Sequence, residues 1–469
     1  MKGGGVIMRR FLAIDIGASS GRHILSWMEG GRLQLREVYR FKNRMEQKNG
    51  HLCWNLDYLS REILQGLRRA AELDCAPDFV GIDTWGVDFI LVDGEGRPVG
   101  DAVAYRDGRT DGVREAAAKI LSPEEQYRRT GTQPQPFNTV YQLRTVPEEM
   151  RRAERLLFVP EYLNFLLTGR MANEYTVAST SGLLDCRTRD WDRELMQTLG
   201  IRPSLFGKVE MPGLSLGRFR PEIAKQVGFS AEVILIAAHD TASAVLAVPE
   251  DKSLYISSGT WSLLGTELEE PITSPESLAA GFTNEGGGYG GYRYLKNIMG
   301  LWMIQSIRAE LGGAHSFDDL CHMAEDSRFD AVVDVNDDCF LAPRSMSAAV
   351  RLYCERSGLP VPRYTGDLLR CVYRSLAKSY AAAVEELCSL TGRRFDRIHI
   401  VGGGSRDGYL NRLTAEAVGL PVVTGPTEAT AAGNLLVQMI YAGEIANLDE
   451  GRRVIRASMD VEDSQYGKE

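Results

Sequence analysis

The pattern of hydrophobic and polar positions predicts β-strands near the start of the chain. Residues 11–41 contain an apolar run, a glycine-serine turn and two alternating stretches joined by Glu29-Gly30-Gly31. Alternation with a period of two between turn residues is typical of half-buried strands, so this part predicts three successive antiparallel strands. Residues 56–73 predict a helix, and residues 79–92 predict a buried strand that turns into a hairpin at residues 93–96.

A turn in the second half of the chain has the same sequence pattern as the glycine-serine turn near its start. Ser257-Ser258-Gly259 stands after an apolar run as Ser19-Ser20-Gly21 does about half a chain earlier. This similarity predicts a duplicated domain, and the mixed order of strands and helices predicts an α/β class. The later predicted elements are a helix at residues 367–390, a strand at 398–401, a helix ending near 418, a short strand at 421–424 and a last helix from near 428.

Length and composition favour two packed domains. A chain of 469 residues exceeds what one hydrophobic core usually serves, and 44% hydrophobic with 25% charged residues is an ordinary globular composition. We expect an N-terminal domain at residues 9–247, a C-terminal domain at 248–458 and a tail at 459–469. Two similar halves are expected to leave a ligand-binding cleft between them.

Charge and cysteine spacing exclude several kinds of partner. A net charge of −9 argues against nucleic acid, which needs clustered basic residues. The opening residues lack the apolar stretch of a signal peptide, and no run reaches the roughly 18 apolar residues of a membrane span, so we expect a cytoplasmic protein with no membrane partner. The eight cysteines form no C-x-x-C pair, which indicates reduced thiols rather than a zinc site.

The first glycine-serine turn is a candidate phosphate site. Residues 17–22 follow an apolar strand, and their small side chains would let backbone N–H groups approach phosphate oxygens. Asp15, at the end of that strand, could hold a hydrated Mg²⁺. A plain β-hairpin turn is the alternative, whereas a hydrolase nucleophile elbow is rejected because residues 23–27 predict a strand and not a helix.

A second glycine-rich turn lies between a predicted strand and a predicted helix. Gly402, Gly403 and Gly404 stand where free N–H groups and the helix dipole suit an adenosine or phosphate moiety, although an ordinary tight turn has the same pattern. Asp407 occupies the position of the third glycine of a Rossmann fingerprint, and no P-loop sequence is present. The sequence therefore excludes a P-loop and does not support a dinucleotide site.

Two polar segments are candidates for binding and chemistry. Asp240 lies between an apolar strand and a small-residue helix, where it can cap the helix, act as a general base, or do both. Asp83, Trp85 and Asp88, with the later Arg106, offer the polar edges and aromatic face that sugars need. The alternative is that Trp85 belongs to the core and that Asp88 pairs with Arg106 for structural reasons.

Several ordered motifs together resemble the FGGY carbohydrate kinases. These are the turn after Asp15, the late Asp240, the Ser257–Thr260 turn and the Gly402 triplet. Within that family the chain is similar to the kinases that act on L-rhamnulose, through residues 17–22, 82–89, 136–139, 239–243 and 295–302. The resemblance runs from about residue 11 to residue 458, and a set of ordered motifs is far more specific than any one of them.

The resemblance implies a fold, a reaction and a set of site residues. The implied fold has two actin-like domains of the ribonuclease H-like (ASKHA) type with an interdomain catalytic cleft. The implied reaction is phosphorylation of L-rhamnulose by ATP with Mg²⁺, in L-rhamnose catabolism, by a monomer or homodimer. By this resemblance Asp240 would be the catalytic proton acceptor, ATP would be bound by Ala18, Ser19, Ser20, Gly21, Arg22, Thr260, Asn297, Gln305 and Gly402, and the ketose by Gly86, His239, Asp240 and Thr241. The residue patterns described above add Asp15, which would hold the metal through water, Gly403 beside the nucleotide, and Asp83, Trp85 and Arg106 beside the ketose.

Two alternatives stay open at this point. Kinases for L-fuculose, L-xylulose or D-xylulose share the fold, and a small change in pocket shape shifts preference only modestly. A non-catalytic actin-like protein would bind nucleotide without any need for a sugar site.

Overall fold

A computed structural model describes residues 8–341 and 343–463. The last six residues of the predicted 459–469 tail lie outside the described residues. The strands are β1 (Phe11–Ile16), β2 (Ser20–Glu29), β3 (Arg32–Lys42), β4 (Met45–Lys48), β5 (His51–Trp54), β6 (Phe79–Thr84), β7 (Phe89–Val92), β8 (Arg155–Phe158), β9 (Asn173–Glu174), β10 (Leu184–Asp185), β11 (Asp190–Trp191), β12 (Val209–Glu210), β13 (Leu214–Arg218), β14 (Glu232–Leu235), β15 (Leu254–Ser258), β16 (Trp261–Leu268), β17 (Phe282–Gly286), β18 (Tyr292–Met299), β19 (Ile398–Val401), β20 (Val422–Thr424) and β21 (Glu462–Asp463).

The helices connect and cover these strands. They are α1 (Leu56–Glu72), α2 (Val113–Ala118), α3 (Pro123–Thr130), α4 (Thr139–Leu143), α5 (Pro147–Arg152), α6 (Val159–Thr168), α7 (Tyr175–Ala178), α8 (Arg193–Thr198), α9 (Pro221–Val227), α10 (Asp240–Leu246), α11 (Pro275–Ala279), α12 (Trp302–Glu310), α13 (Phe317–Asp326), α14 (Met346–Arg356), α15 (Thr365–Thr391), α16 (Gly408–Val418), α17 (Ala429–Tyr441) and α18 (Leu448–Ser458). No helix in the described ranges is long and apolar enough to cross a membrane.

The chain forms two compact units, each built from separate stretches of sequence. The first unit comprises Met1–Pro249, Glu267–Tyr294 and Ala429–Ser458. The second comprises Glu250–Thr266, Leu295–Glu428 and Met459–Glu469. Each unit is described by itself below.

The main sheet of the first unit has the strand order β13-β14-β6-β1-β2-β3. Strands β1, β2 and β3 are successive antiparallel neighbours, which confirms the meander that the alternation predicted. Strands β1, β6 and β14 are parallel, with Asp15 beside Asp83 in the register. Beyond these paired residues, Thr84 forms an isolated parallel bridge with His239. The carboxyl ends of three neighbouring parallel strands therefore meet at one edge.

The sheet is covered on both faces, which explains why β1 is apolar along most of its length. All six residues of β1 are buried. Helix α17 packs on β1 and β6, while α1 packs on β2 and β3. A strand buried on both faces reads as a continuous apolar run rather than an alternating one.

Helices α10 and α17 approach so closely that their crossing requires a glycine. A Cβ atom at Gly433 would collide with the carbonyl oxygen of Ser243. Gly433 therefore lets α17 lie against the helix that begins at Asp240. This close backbone approach fixes the position of α10 relative to the sheet.

The predicted strand at residues 79–92 is wrong as a single element. It is divided into β6 and β7 at residues 85–88, where Val87 has a φ of 63°. Strand β7 then pairs with β8, and after the turn at residues 93–96 the chain folds back on β7 through an isolated bridge between Val92 and Pro98 and a bond of 2.7 Å from Val99 N to Leu91 O. A left-handed backbone is a genuine outlier for a β-branched residue, so the apolar run alone gave no sign of this break.

Residues 89–206 pack largely around a core of their own within the first unit. Its buried aromatic side chains include Tyr141, Phe158, Trp191 and Phe206. The ring centroids of Trp191 and Phe206 are 4.5 Å apart. This largely helical part supplies the segment at residues 174–180 that contacts the candidate site.

Acidification is expected to destabilise the first unit through His23. The imidazole is fully buried, with its Nε2 3.3 Å from the carbonyl oxygen of Ile63, and burial lowers its pKa to about 4. Since an unfolded histidine takes up a proton near pH 6.5, the unfolded chain binds more protons between pH 6.5 and 4 and stability falls with falling pH. We expect a loss of about 1.4 kcal/mol per pH unit in that window, measured as the free energy of urea unfolding.

The variant His23→Gln isolates this contribution. Its unfolding free energy should decline less steeply below pH 6.5 than that of the unchanged protein, whereas His322→Gln, at an exposed position, should leave the slope as it was. Equal slopes for His23→Gln and the unchanged protein would contradict the assignment.

In the second unit, the strands are ordered β18-β16-β15-β19-β20-β21. Strands β15 and β16 form an antiparallel pair and β15 is parallel to β19, so β15 stands here as β1 does in the first unit. Helix α15, β19, α16 and β20 confirm the predicted succession. The helix predicted from near residue 428 begins at Ala429 and belongs to the first unit, as does α18, which follows it, so the prediction that it is the last helix is wrong. All eight cysteines are free thiols.

Candidate functional site

Three aspartates lie together at the sheet edge of the first unit. Asp15 is in β1, Asp83 is its parallel neighbour in β6, and Asp240 follows β14 as the first residue of α10. Burial, and after it the negative charge of Asp15, raises the pKa of Asp83 and of Asp240. Such a concentration of carboxylates at the ends of parallel strands is typical of a ligand site in an α/β fold.

Asp83 lies behind the other two aspartates. It has no exposed surface, and its Oδ2 accepts a hydrogen bond of 2.5 Å from Asn434 Nδ2 on α17. Burial, followed by the negative charge of Asp15, raises the pKa of Asp83 well above its usual range. Asp83 therefore acts on the site by supporting its neighbours.

Asp240 is the accessible member of the group. Its side chain is 32% exposed, and its Oδ1 accepts hydrogen bonds from Thr241 N at 2.6 Å and Thr241 Oγ1 at 3.2 Å. Burial raises its pKa, while nearby His239 and the bonds from Thr241 oppose that rise. The helix begins at Asp240 itself, with His239 as the N-cap residue, so the predicted capping role of Asp240 is wrong by one position. Its carboxylate contacts its own neighbour instead.

His239 is fixed from both its backbone and its ring. The backbone N–H donates to Thr176 Oγ1 at 3.2 Å, and the carbonyl accepts from Ser243 N at 3.1 Å. The ring Nε2 is 3.4 Å from Asp240 Oδ1, and Nδ1 is 3.1 Å from Arg293 Nη2. The carboxylate of Glu174 accepts hydrogen bonds from the N–H groups of both Thr176 and Ala238, and these bonds hold the backbone next to His239 in a single conformation.

Gly86 and Val87 form a strained turn beside this group. A Cβ atom at Gly86 would lie 2.8 Å from Thr180 Oγ1, and the same hydroxyl accepts a bond of 3.0 Å from Val87 N. Thr139 Oγ1 donates to Val87 O at 2.7 Å. Backbone strain of this kind persists only where the surroundings hold it in place, and it concentrates at functional sites.

Trp85 belongs mainly to the core. It is 6% exposed, its ring centroid is 4.0 Å from that of Trp54, and its Nε1 donates to Asp88 Oδ2 at 2.9 Å. Asp88 is buried and also accepts bonds from Trp54 Nε1 and Gln142 Nε2. The structural alternative for Trp85 is thus confirmed, and Asp88 organises the pair of indoles. Arg106 follows Tyr105, whose N–H also donates to Asp88 Oδ2, and its Nε donates to Tyr105 Oη at 3.0 Å.

The turn between β1 and β2 leaves its tip accessible. Gly17 N donates to Ser20 O at 2.9 Å, Ser19 is exposed, and Ala18 and Ser20 are half-buried. Arg22 Nε donates to Asp15 Oδ2 at 3.0 Å. The turn is a β-hairpin, which was the alternative to a phosphate site. It also exposes the small residues that the phosphate-site hypothesis requires.

The second unit brings the predicted Gly402–Gly404 turn close to the β15 turn. Gly402 has a φ of 83°, and a Cβ atom there would lie 3.0 Å from Ser258 O, whereas Gly403 faces open space. Thr260 O accepts a bond from Trp302 N at 3.2 Å, at the start of α12, the helix that carries Gln305. Thr260, Asn297 and Gln305 are all half-buried, so each has surface available.

Sequence reasoning missed the buried side chains that support the site. They are Glu174, Glu285, Arg293 and Asn434, all of which are nearly or fully buried. A usable signal existed for Arg293 alone, because it stands between Tyr292 and Tyr294 in a largely apolar part of β18, and a charged residue in such a strand needs a partner. The contact of both Glu285 and Arg293 with His239 could not be predicted from the sequence.

The donor set near Asp15 suits a hydrated Mg²⁺. No group of three or more His, Cys, Asp or Glu side chains in the described part of the chain is arranged to hold a metal ion. Mg²⁺ usually keeps several waters and binds through one or two carboxylates plus substrate phosphates. The carboxylate of Asp15, at the end of β1, offers oxygens of this kind.

Comparisons with known proteins cover both halves of the chain. The profile for the FGGY family of carbohydrate kinases, N-terminal domain, matches residues 10–247, and that for the C-terminal domain matches residues 254–442. A rhamnulokinase of Oceanobacillus iheyensis is 43% identical over 96% of this chain and 97% of its own length. A rhamnulokinase of Halalkalibacterium halodurans is 44% identical over 97% of this chain and 98% of its own length.

Solved structures share the fold at low sequence identity. Gluconate kinase from Lactobacillus acidophilus superposes with a TM-score of 0.81 at 16% identity, covering 97% of this chain and 93% of that one. Glycerol kinase of Plasmodium falciparum with ADP gives 0.78 at 16% identity, covering 98% and 94%. These likenesses confirm the predicted two-domain α/β, actin-like fold.

Proposed function

We propose that this chain, which belongs to the FGGY family of carbohydrate kinases, transfers the γ-phosphoryl group of ATP to the 1-hydroxyl of L-rhamnulose, giving ADP and L-rhamnulose 1-phosphate in L-rhamnose catabolism. The observation that carries the proposal is the partly exposed carboxylate of Asp240, held beside His239 where three parallel strands end. Family membership makes the chain a phosphotransferase with ATP as a substrate. The sugar is proposed from the relatives above.

Asp240 is proposed as the general base. The oxygen of the 1-hydroxyl forms the new bond to the γ-phosphorus, its proton passes to Asp240, and the bond to the bridging oxygen breaks so that ADP leaves with the electron pair. A carboxylate whose pKa is raised by burial is a better base near neutral pH than an exposed one. Thr241 holds that carboxylate in place.

The ketose is proposed to bind along the same edge of the first unit. Gly86, Arg106, His239 and Thr241 are proposed to contact it, with the edge of Trp85. Asp83 would contribute from behind, because its carboxyl group is fully buried against Asn434. The strained backbone at Val87 supports a binding role for this turn.

Nucleotide binding is proposed for the glycine-serine turn at residues 17–22, for the turn at residues 402–404 and for residues near them. Ala18, Ser19, Ser20, Gly21 and Arg22 would contact phosphates in the N-terminal domain, residues 9–247, and Thr260, Asn297, Gln305, Gly402 and Gly403 would bind the nucleotide in the C-terminal domain, residues 248–458. Mg²⁺, held by Asp15 through water, would neutralise phosphate charge when bound. We further propose a cytoplasmic enzyme that acts as a monomer or homodimer.

A substrate panel tests the proposal. ADP release from MgATP would be measured with L-rhamnulose, L-fuculose, L-xylulose, D-xylulose, D-fructose and glycerol, beside a reaction without sugar. We expect a clear preference for L-rhamnulose. Preference for another ketose would overturn the substrate and leave the kinase activity standing, whereas no reaction with any acceptor would overturn the kinase proposal in favour of a nucleotide-binding protein.

A further inference from the structure

A buried ion pair lies directly behind His239 in the first unit. Arg293 is fully buried, and the side chain of Glu285 is 9% exposed. Arg293 Nη2 is 3.0 Å from Glu285 Oε2, and Arg293 Nε donates to Gly286 O at 2.9 Å. The negative charge of Glu285 balances the positive charge of Arg293, and this balance makes burial of the guanidinium possible. Burial by itself would raise the pKa of Glu285, but the positive charge of Arg293 contributes to lowering it below its usual value.

The hydrogen bond between Arg293 and His239 can have only one direction. Arg293 Nη2 lies 3.1 Å from His239 Nδ1. A guanidinium group has donors and no acceptor, so Nδ1 must supply a lone pair and cannot carry a proton. The alternative contact, from a protonated Nδ1 to Glu285 Oε2, is longer at 3.4 Å and would place two N–H groups against each other at Arg293.

We propose that Arg293 is a positioning residue for phosphoryl transfer, which holds His239 as the neutral tautomer with its proton on Nε2 and directs that N–H towards Asp240. This inference rests on the proposed role of Asp240 as the base. Nε2 is 3.4 Å from Asp240 Oδ1, the oxygen that also accepts both bonds from Thr241. With these donors gathered on Oδ1, the other oxygen, Oδ2, is left to take the proton of the sugar hydroxyl.

The opposite tautomer would undo this arrangement. A bare Nε2 would present a lone pair to Asp240 Oδ1, so the two acceptors would repel and the carboxylate would turn away from the hydroxyl. The role of Asp240 as the base would thus depend on Arg293, a side chain with no exposed surface. The orientation of a base by a second group is general in proton-transfer sites.

Nitrogen NMR of histidine-labelled full-length protein tests the tautomer without any activity. Each neutral imidazole gives one proton-bearing and one bare nitrogen signal, and the His239 pair would be identified by its loss in His239→Gln. We expect the proton on Nε2. A proton on Nδ1, or on both nitrogens at neutral pH, would overturn the inference.

Variants at Arg293 test the link to catalysis. Arg293→Met is expected to move the proton to Nδ1, which then faces Glu285, and to lower kcat with L-rhamnulose roughly 10- to 100-fold, less than loss of the base itself. The KM for ATP should stay as it is. Arg293→Lys should restore part of kcat. Arg189→Met is the matched control, because Arg189 contacts Tyr292 and not His239, and it should change neither the tautomer nor kcat.

A double variant keeps the test decisive if Arg293→Met fails to fold. Arg293→Met with Glu285→Gln removes both buried charges at similar volume. A folded double variant that retained the Nε2 proton and full kcat would overturn the proposal. If the unchanged protein showed the expected tautomer yet phosphorylated no ketose, the proposed function would fail while the hydrogen-bond assignment stood.

Discussion

The variant Asp240→Asn is expected to turn over about 100-fold more slowly, or slower still, which is the usual contribution of a general base. Asparagine keeps the size of the side chain and can still accept the bonds from Thr241 N and Thr241 Oγ1 through its carbonyl oxygen. It cannot take a proton from the sugar hydroxyl. Binding should therefore be nearly unchanged while kcat falls.

Two measurements separate chemistry from binding in this variant. The rate of ADP release with saturating L-rhamnulose reports kcat, and calorimetric titration with ketose and with MgATP reports the affinities. Asp111→Asn makes the same change of charge at an exposed position of the same unit and should retain full activity. Turnover of Asp240→Asn equal to that of Asp111→Asn would remove Asp240 from the mechanism.

Asp88→Ala is expected to lower the free energy of unfolding by about 4 kcal/mol or more, since each buried donor left without a partner costs about 1–3 kcal/mol. Four donors meet on this carboxylate. They are Trp54 Nε1 at 2.7 Å, Trp85 Nε1 at 2.9 Å, Tyr105 N at 3.1 Å and Gln142 Nε2 at 3.1 Å. Burial of Asp88 disfavours its ionised form and raises its pKa to about 6. The four hydrogen bonds oppose this rise because they stabilise the ionised carboxylate.

Urea unfolding of Asp88→Ala and Asp88→Asn would test this estimate. Asparagine retains one acceptor oxygen but turns an amide N–H₂ towards other donors, so we expect a smaller loss than for alanine. Because Trp85 and Gly86 are adjacent, a folded Asp88→Ala protein should also show a raised KM for the ketose. Unfolding midpoints within error of that of Asp111→Asn would show that the four bonds contribute little.

The succession of elements was largely predictable because hydrophobic periodicity acts locally. Strands β1 to β3, helix α1 and the series from α15 to β20 each have a period or an apolar run of sufficient length. The break at residues 85–88 was not predictable, since Val87 takes a left-handed backbone only because Thr180 and Thr139 bond to it from distant parts of the chain. Helix α18 was likewise missed at the end of the chain.

The sequence by itself determined the class of fold, the two glycine-serine turns and the identity of Asp240 as the candidate base, because each of these depends on residues that are neighbours in the chain. Only the tertiary structure decided what surrounds Asp240. Glu285 and Arg293 meet His239 across more than forty residues, and Asn434 meets Asp83 across 351. Burial and charge balance act between groups that folding brings together, so the buried support of the site has no local signature.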